Sequence, residues 1–219
     1  MLVPQNPARR AQCLHCLRPQ SACICQWIQR IDNQVDVLIL QHPLEVGHAK
    51  GSGLLLQRSL RSGTLIVGES FDSALLRDML FRALPHAPDQ SARPALLYPS
   101  SDDALPSESL PHQLGAPNRL VVLDGTWRKS RKMLYLNPLL QQLPRVALTD
   151  VAPSRYRIRK AHRDDQLSTL EATCQALMQL ETDQNKYLPL LNAFDGFVAQ
   201  QKSYVDAHAD TSLSRSRSK

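Results

Sequence analysis

The sequence lacks the features of several large classes of proteins. No apolar run reaches the roughly 18 residues that a transmembrane helix needs, and residues 1–10 contain no apolar stretch of the kind found in signal peptides. Aromatic residues make up 5% and charged residues 21% of the 219 residues, a composition that excludes a collagen, a coiled coil and wholesale disorder. We therefore expect a globular, cytoplasmic protein with no membrane partner.

Several motifs of nucleotide-binding and hydrolytic enzymes are also missing. The chain has no G-x-x-x-x-G-K-[ST] loop and no G-x-G-x-x-G after a strand, so neither a P-loop triphosphatase nor the usual dinucleotide site is expected. It has no H-E-x-x-H and no G-x-S-x-G, the motifs of zinc proteases and α/β-hydrolases.

Five short apolar runs alternate with helical patterns along the chain. Strands are predicted at residues 35–40, 64–68, 95–98, 120–123 and 146–148, and helices at residues 53–60, 73–84, 126–134, 168–181 and 188–202. The fourth helix begins with Ser168-Thr169-Leu170-Glu171, which has the form of a capping box. The alternation predicts an α/β fold with a mainly parallel sheet flanked by helices.

Four of the five cysteines lie within thirteen residues, in the pattern C-x2-C-x6-C-x-C: Cys13, Cys16, Cys23 and Cys25. Clustered cysteines in a protein without an export signal indicate a metal site rather than disulfides. Four thiolates close a tetrahedral site, so we expect a structural zinc, with iron as the alternative. This knuckle either extends an RNA-binding surface or anchors the N-terminal segment. Cys174, on the apolar face of a predicted helix, is interpreted as a core residue.

Polar segments follow three of the predicted strands, at residues 41–45, 99–102 and 124–127. Ligands of open α/β sheets bind at the carboxyl ends of strands, so these segments predict a site there. Each also has a purely structural alternative. His42-Pro43 ends a strand, Asp124 or Thr126 caps the next helix, and Trp127 packs in the core.

The net charge is +6, and its distribution is uneven. Between Arg128 and Arg163 there are ten Lys and Arg residues against one acid, Asp150, a local charge of +9 that leaves about −3 for the rest. A basic segment on a mildly acidic body favours a polyanionic partner such as RNA, with a solvated surface as the alternative.

Three short motifs occur together with the cysteine cluster: Asp124-Gly125-Thr126-Trp127, His42-Pro43-x-Glu45 and Ser168-Thr169-Leu170-Glu171-Ala172. In their order and spacing, over residues 13–202, they resemble the DTW-domain family. Bacterial members of that family are tRNA-uridine aminocarboxypropyltransferases. The resemblance implies transfer of the 3-amino-3-carboxypropyl group of S-adenosylmethionine to N3 of a uridine in the tRNA variable loop, with release of methylthioadenosine. It also implies a SPOUT-like fold with a C-terminal knot.

The resemblance assigns catalytic roles to Asp124, Thr126, Trp127 and Glu45. Uridine N3 must lose a proton before it becomes a good nucleophile, so a general base is expected beside it. Asp124 is our choice, with Glu45 as the rival carboxylate. Asp124 acts either as that base or as a hydrogen-bond partner that only orients the uridine.

The remaining site residues fall into two groups. S-adenosylmethionine is expected to contact Leu97, Tyr98, Pro99, Ser100, Leu123, Asp124, Gly125, Leu148, Ser168 and Thr169, the last two holding its carboxylate through free N–H groups at a helix start. The tRNA is expected to contact Lys50, Arg128, Lys129, Arg131, Lys132, Arg155, Tyr156, Arg157, Arg159 and Lys160, with Tyr156 available to stack on a base.

The expected organisation is a flexible arm (residues 1–12), the metal-binding knuckle (13–30), one DTW catalytic domain (31–204) and a disordered tail (205–219). We expect a monomer that acts on tRNA. Two other functions are open: a SPOUT-type RNA methyltransferase that uses S-adenosylmethionine, and a zinc-containing RNA-binding protein without enzymatic activity.

Overall fold

The computed structural model describes residues 11–48, 51–85, 87–99, 116–148 and 167–216. Its strands are β1 (Asp36–Gln41), β2 (Gly63–Val67), β3 (Pro94–Leu97), β4 (Arg119–Asp124) and β5 (Arg145–Val146). Its helices are α1 (Gly53–Ser59), α2 (Ser73–Phe81), α3 (Trp127–Leu136), α4 (Pro138–Gln141), α5 (Thr169–Leu180) and α6 (Leu188–Ser216). Short 3-10 turns lie at Gln20–Ala22, Cys25–Trp27 and Pro43–Glu45.

The five strands form one parallel sheet in the order β2-β1-β4-β3-β5. This confirms the predicted parallel α/β sheet. β1 and β4 lie side by side in its middle, paired from Asp36 with Arg119 to Gln41 with Asp124. Every residue of both strands is buried, as continuous apolar runs predict for strands covered on both faces.

Successive side chains of β1 point to opposite layers. Val37 and Ile39 pack with residues of α1, α5 and α6. Leu38 and Leu40 pack with residues of α2, α3 and α4. Because side chains alternate between the two faces of the strand, the sheet is packed between two layers of helices. Polar residues lie at the carboxyl edge of the sheet.

The four-cysteine segment packs onto α6. Ile24 is fully buried in the core layer that also contains Cys16. The indole of Trp27 lies against Gly196 and donates a hydrogen bond to Gln200, both on α6. The knuckle therefore anchors the N-terminal segment to the body of the protein, one of the two roles left open by the sequence.

Most element boundaries differ from the predictions by one to three residues, and two differences are larger. α4 was not predicted, because a four-residue helix gives no detectable periodicity. α6 continues to Ser216, so most of the predicted disordered tail, residues 205–219, is helical here. This segment has no apolar periodicity to predict a helix, but it continues a helix whose earlier residues pack in the core, so the unfavourable first turn is already formed. No helix among the described residues is long and apolar enough to span a bilayer.

Candidate active site at the carboxyl edge of the sheet

The last residues of the two central strands are joined by a buried hydrogen bond. Gln41 Nε2 donates to Asp124 Oδ2 at 2.7 Å. Gly53, the first residue of α1, lies against the same carboxylate, and a Cβ there would come within 3.0 Å of Asp124 Cγ. The carboxylate of Asp124 is therefore held in one place by the neighbouring strand and by the start of α1.

The hydrogen bonds of His42, the residue after Gln41, define the tautomer of its imidazole ring. The backbone N–H of Leu44 donates to Nδ1 at 3.1 Å, so the ring proton lies on Nε2 and is donated to Glu69 Oε1 at 2.8 Å. Lys132 Nζ donates to the other oxygen of Glu69 at 3.0 Å. The hydrogen bonds from Lys132 and then His42 hold the pKa of Glu69 below its usual range.

A second ion pair joins α3 to the turn after β1. Lys129 Nζ lies 2.8 Å from Glu45 Oε1, and the carboxylate of Glu45 is buried. Two of the lysines expected to meet tRNA, Lys129 and Lys132, are thus paired with carboxylates in this structure. Arg128 and Arg131, on the same helix, are exposed.

The Asp-Gly-Thr-Trp segment links β4 to α3 through close packing. Thr126 is the N-cap of α3, and its hydroxyl accepts a hydrogen bond from the Lys129 N–H at 3.4 Å. The structural alternative for Thr126, helix capping, is therefore realised. A Cβ at Gly125 would lie 3.2 Å from Lys129 Cβ and 3.6 Å from His42 Cβ, so a glycine lets these elements meet.

Trp127 does not pack in the core, in contrast to its structural alternative. It is 54% exposed at the start of α3. Its indole stacks on the ring of Tyr98, with centroids 5.1 Å apart and planes inclined by 15°. The guanidinium of Arg145 lies over the Tyr98 ring, 4.9 Å from its centroid. An aromatic pair thus borders the polar edge.

The start of α5 contains the predicted capping box. Ser168 N–H donates to Glu171 Oε2 at 2.9 Å, and Glu171 N–H donates to Ser168 Oγ at 3.2 Å. The N–H of Ser168 is therefore not free for a ligand, contrary to expectation. The helix cap uses it instead.

The four cysteines converge on one point. Their Sγ atoms all lie within 4.8 Å of one another, with Cys13 and Cys25 at 3.6 Å and Cys16 and Cys23 at 3.8 Å. Backbone N–H groups of Cys16 and His15 lower the pKa of Cys13 to about 6. Burial, and then the other thiols, raise the pKa of Cys25 to about 12. A central cation would offset the repulsion between four thiolates, and this donor set fits zinc or iron.

The other predicted site residues are distributed as follows. Leu97 ends β3, Leu123 lies in β4, and Pro99 and Leu148 follow β3 and β5. Outside the described residues lie Lys50, Ser100, Arg155, Tyr156, Arg157, Arg159 and Lys160. Gln41 is the first residue of the predicted polar segment 41–45, although no role is predicted for it. Sequence reasoning missed Gly53, Glu69 and Arg145. Applied to β2, the strand-end rule identifies Glu69, two residues beyond Val67.

The fold and the site define an α/β protein whose parallel sheet carries buried carboxylates and a half-exposed tryptophan stacked on a tyrosine at its carboxyl edge. A four-cysteine cluster lies in the N-terminal segment. A family model described as the DTW domain matches residues 10–202. The chain therefore belongs to the DTW-domain family.

Three animal relatives share the name tRNA-uridine aminocarboxypropyltransferase 2. The Drosophila melanogaster protein is 36% identical over 180 residues, covering 80% of this chain and 69% of the relative. The Macaca fascicularis protein is 28% identical over 85% of this chain and 61% of its own length. The Mus musculus protein is 26% identical, over 93% of this chain and 69% of the relative's own length. The chain thus spans between 61% and 69% of these relatives. No solved structure matches it significantly.

Proposed function

We propose that this protein transfers the 3-amino-3-carboxypropyl group of S-adenosylmethionine to N3 of a uridine in the variable loop of tRNA. Methylthioadenosine is the second product. Family membership over residues 10–202, with relatives named for this activity, carries the proposal. The buried carboxylates at the carboxyl edge of the sheet support it, since ligands of parallel sheets bind at that edge.

The reaction forms a bond between N3 and the γ-carbon of the transferred group, and breaks the bond from that carbon to sulfur. The sulfonium of the donor supplies a leaving group that needs no protonation. The tasks left to the protein are to align the two substrates and to accept the N3 proton.

Asp124 suits the second task better than Glu45 does. Glu45 already accepts a hydrogen bond from the ammonium of Lys129 at 2.8 Å. Asp124 accepts from the neutral amide of Gln41, which fixes one carboxylate oxygen without adding a positive charge. In this proposal Asp124 takes the N3 proton, Thr126 keeps the start of α3 in place, and Glu45 holds Lys129.

The donor is proposed to lie along the ends of β3, β4 and β5, against Leu97, Pro99, Leu123, Gly125 and Leu148, with Thr169 near its carboxylate. Tyr98, expected from the sequence to contact the donor, stacks on Trp127 instead. Arg128 and Arg131 are proposed to meet tRNA phosphates, because both are exposed on α3. Such contacts position RNA without reading its sequence.

Four finer features belong to the same proposal. A zinc ion held by the four cysteines would be structural, since four thiolates leave no open coordination position. A SPOUT-type knot is supported by α5, which contacts α1 and β4 although it follows β5 at the sheet edge. We further propose that the protein is a cytoplasmic monomer.

Nucleoside mass spectrometry tests the proposed reaction. Unmodified tRNA is incubated with the purified protein and S-adenosylmethionine, then digested. We expect a uridine heavier by one aminocarboxypropyl group, together with methylthioadenosine. A methylated nucleoside would instead identify an RNA methyltransferase. Unchanged nucleosides despite tight tRNA binding would identify an RNA-binding protein without this activity.

A further inference from the structure

We propose that the Tyr98–Trp127 pair is a stacking platform for the acceptor uracil, held outside the tRNA base stack. The inference rests on the proposed function and names the part of the site that takes the acceptor.

The exposure of Trp127 is the first observation. Its neighbours on the inner side of α3, Ser130 and Met133, are buried, whereas Trp127 is 54% exposed. A large aromatic side chain left half in water gains little for the stability of the fold. Its accessible surface is therefore available to a ligand.

The orientation of the indole is the second observation. Tyr98 holds it in a near-parallel stack, at 5.1 Å and 15°, and Arg145 lies over the Tyr98 ring. Tyr98 comes directly after β3, and Trp127 is three residues beyond the end of β4, a neighbouring strand. The platform is thus built on two adjacent strands and is fixed before any ligand arrives.

Position and charge favour the acceptor base over the adenine of the donor. Trp127 belongs to the same strand–helix turn as Asp124, which is proposed to take the proton from N3. Exposed Arg128 and Arg131 follow Trp127 on α3, and their charges suit the phosphates of RNA. N3 lies on the Watson–Crick edge of uracil, so the base must be unpaired to react, and unpaired bases are commonly held by aromatic stacking.

Tryptophan fluorescence tests the platform directly, because the chain has only two tryptophans, Trp27 and Trp127. In Trp27→Phe, Trp127 is the sole indole. We expect unmodified tRNA, added with S-adenosylhomocysteine, to quench its emission saturably, and S-adenosylhomocysteine alone to leave it nearly unchanged. Should Trp27→Phe fail to fold, the difference between wild-type and Trp127→Phe emission reports the same signal.

Substitutions give a second readout that needs no catalysis. Trp127→Leu should weaken tRNA binding about 5- to 150-fold, the equivalent of about 1–3 kcal/mol for stacking of one base. Trp127→Phe should restore most of it. Tyr135→Leu is the matched control, since Tyr135 is an exposed aromatic on the same helix, and it should leave tRNA binding unchanged.

Two other outcomes would overturn the platform, and a third would separate it from the proposed function. Quenching by S-adenosylhomocysteine alone, with tRNA affinity unchanged in Trp127→Leu, would assign the platform to adenine. Equal losses in Trp127→Leu and Tyr135→Leu would mean a general surface effect. Quenching by tRNA without any aminocarboxypropyl product would support the platform while refuting the proposed function.

Discussion

The two ends of the β1–β4 pair carry polar residues of similar chemistry in very different surroundings. At the amino end, Arg119 Nε lies 2.6 Å from Asp36 Oδ2, and both side chains are at most 5% exposed. Arg119 Nη1 also donates to the carbonyls of Met79, Leu80 and Arg82, each at 3.0 Å. This arginine thus satisfies the last carbonyls of α2, and the amino end is closed.

At the carboxyl end the polar network opens to solvent. Asp124 and Gln41 are buried, but the Glu69 side chain is 29% exposed and that of Lys132 is 59% exposed. Trp127, at the start of the helix that follows Asp124, is half exposed. Burial of a charged residue therefore does not by itself identify a site. Buried charged residues whose hydrogen-bond partners are also buried stabilise the fold. Buried charged residues next to a solvent-accessible surface can bind a ligand.

Breaking the closed end should have the largest effect on stability. Arg119→Met leaves the Asp36 carboxylate buried without its partner, so we expect a loss of about 3–5 kcal/mol in the free energy of unfolding, measured by urea denaturation. The double variant Asp36→Leu with Arg119→Met removes both charges and should recover part of that loss. If Arg119→Met were as stable as the wild type, the Arg119–Asp36 pair would not stabilise the fold.

Gly53→Ala tests the packing behind Asp124. An added Cβ would collide with the Asp124 carboxylate, so either α1 or the carboxylate must move. Overpacking of this kind costs about 1–3 kcal/mol, and we expect transfer to fall by more than the stability loss explains. Gly51→Ala is the control, because a Cβ there would make one tight contact, 3.1 Å from the His48 carbonyl oxygen, without the collision found at Gly53. Normal transfer in folded Gly53→Ala would contradict the requirement for a fixed Asp124.

Thr126→Ala tests whether Thr126 only caps α3 or also takes part in the transfer reaction at the carboxyl edge. Loss of the cap on α3 should lower stability by about 1 kcal/mol in thermal or urea unfolding. Thr126→Ser keeps the hydroxyl and should restore both stability and transfer. A loss of transfer in Thr126→Ser would indicate a role for the threonine beyond the cap.

The smallest effect concerns Glu69 and pH. Its pKa in the folded protein is below the ordinary value of 4.5, because Lys132 and His42 donate to it. A lowered folded pKa gives stability that is present above the ordinary value and is lost as pH falls through the folded one. We expect the stability difference between wild type and Glu69→Gln to shrink below about pH 4.5. A constant difference from pH 7 to pH 3 would contradict the assignment.

The sequence predicts all five strands because each is a short apolar run, and the runs of β1 and β4 are continuous because those strands are buried on both faces. It also identifies Asp124, Glu45 and His42, since polar residues after such runs meet at one edge. It does not predict the contact of Gln41 with Asp124 or of Tyr98 with Trp127. Those contacts depend on β4 lying between β1 and β3, and strand order leaves no local signal. Buried Arg119 is missed for a similar reason, because its partners are distant in the chain.

The carboxyl edge is proposed to be the reaction centre, with Asp124 acting there on the acceptor. Asp124→Asn keeps the size and a hydrogen-bond acceptor for Gln41, so the fold and S-adenosylmethionine binding should be retained. The most direct measurement is the single-turnover rate of aminocarboxypropyl transfer to tRNA in this variant, at a saturating concentration of S-adenosylmethionine. Loss of a general base predicts a rate about 10²- to 10⁴-fold lower than that of the wild type. A rate equal to that of the wild type would contradict the account.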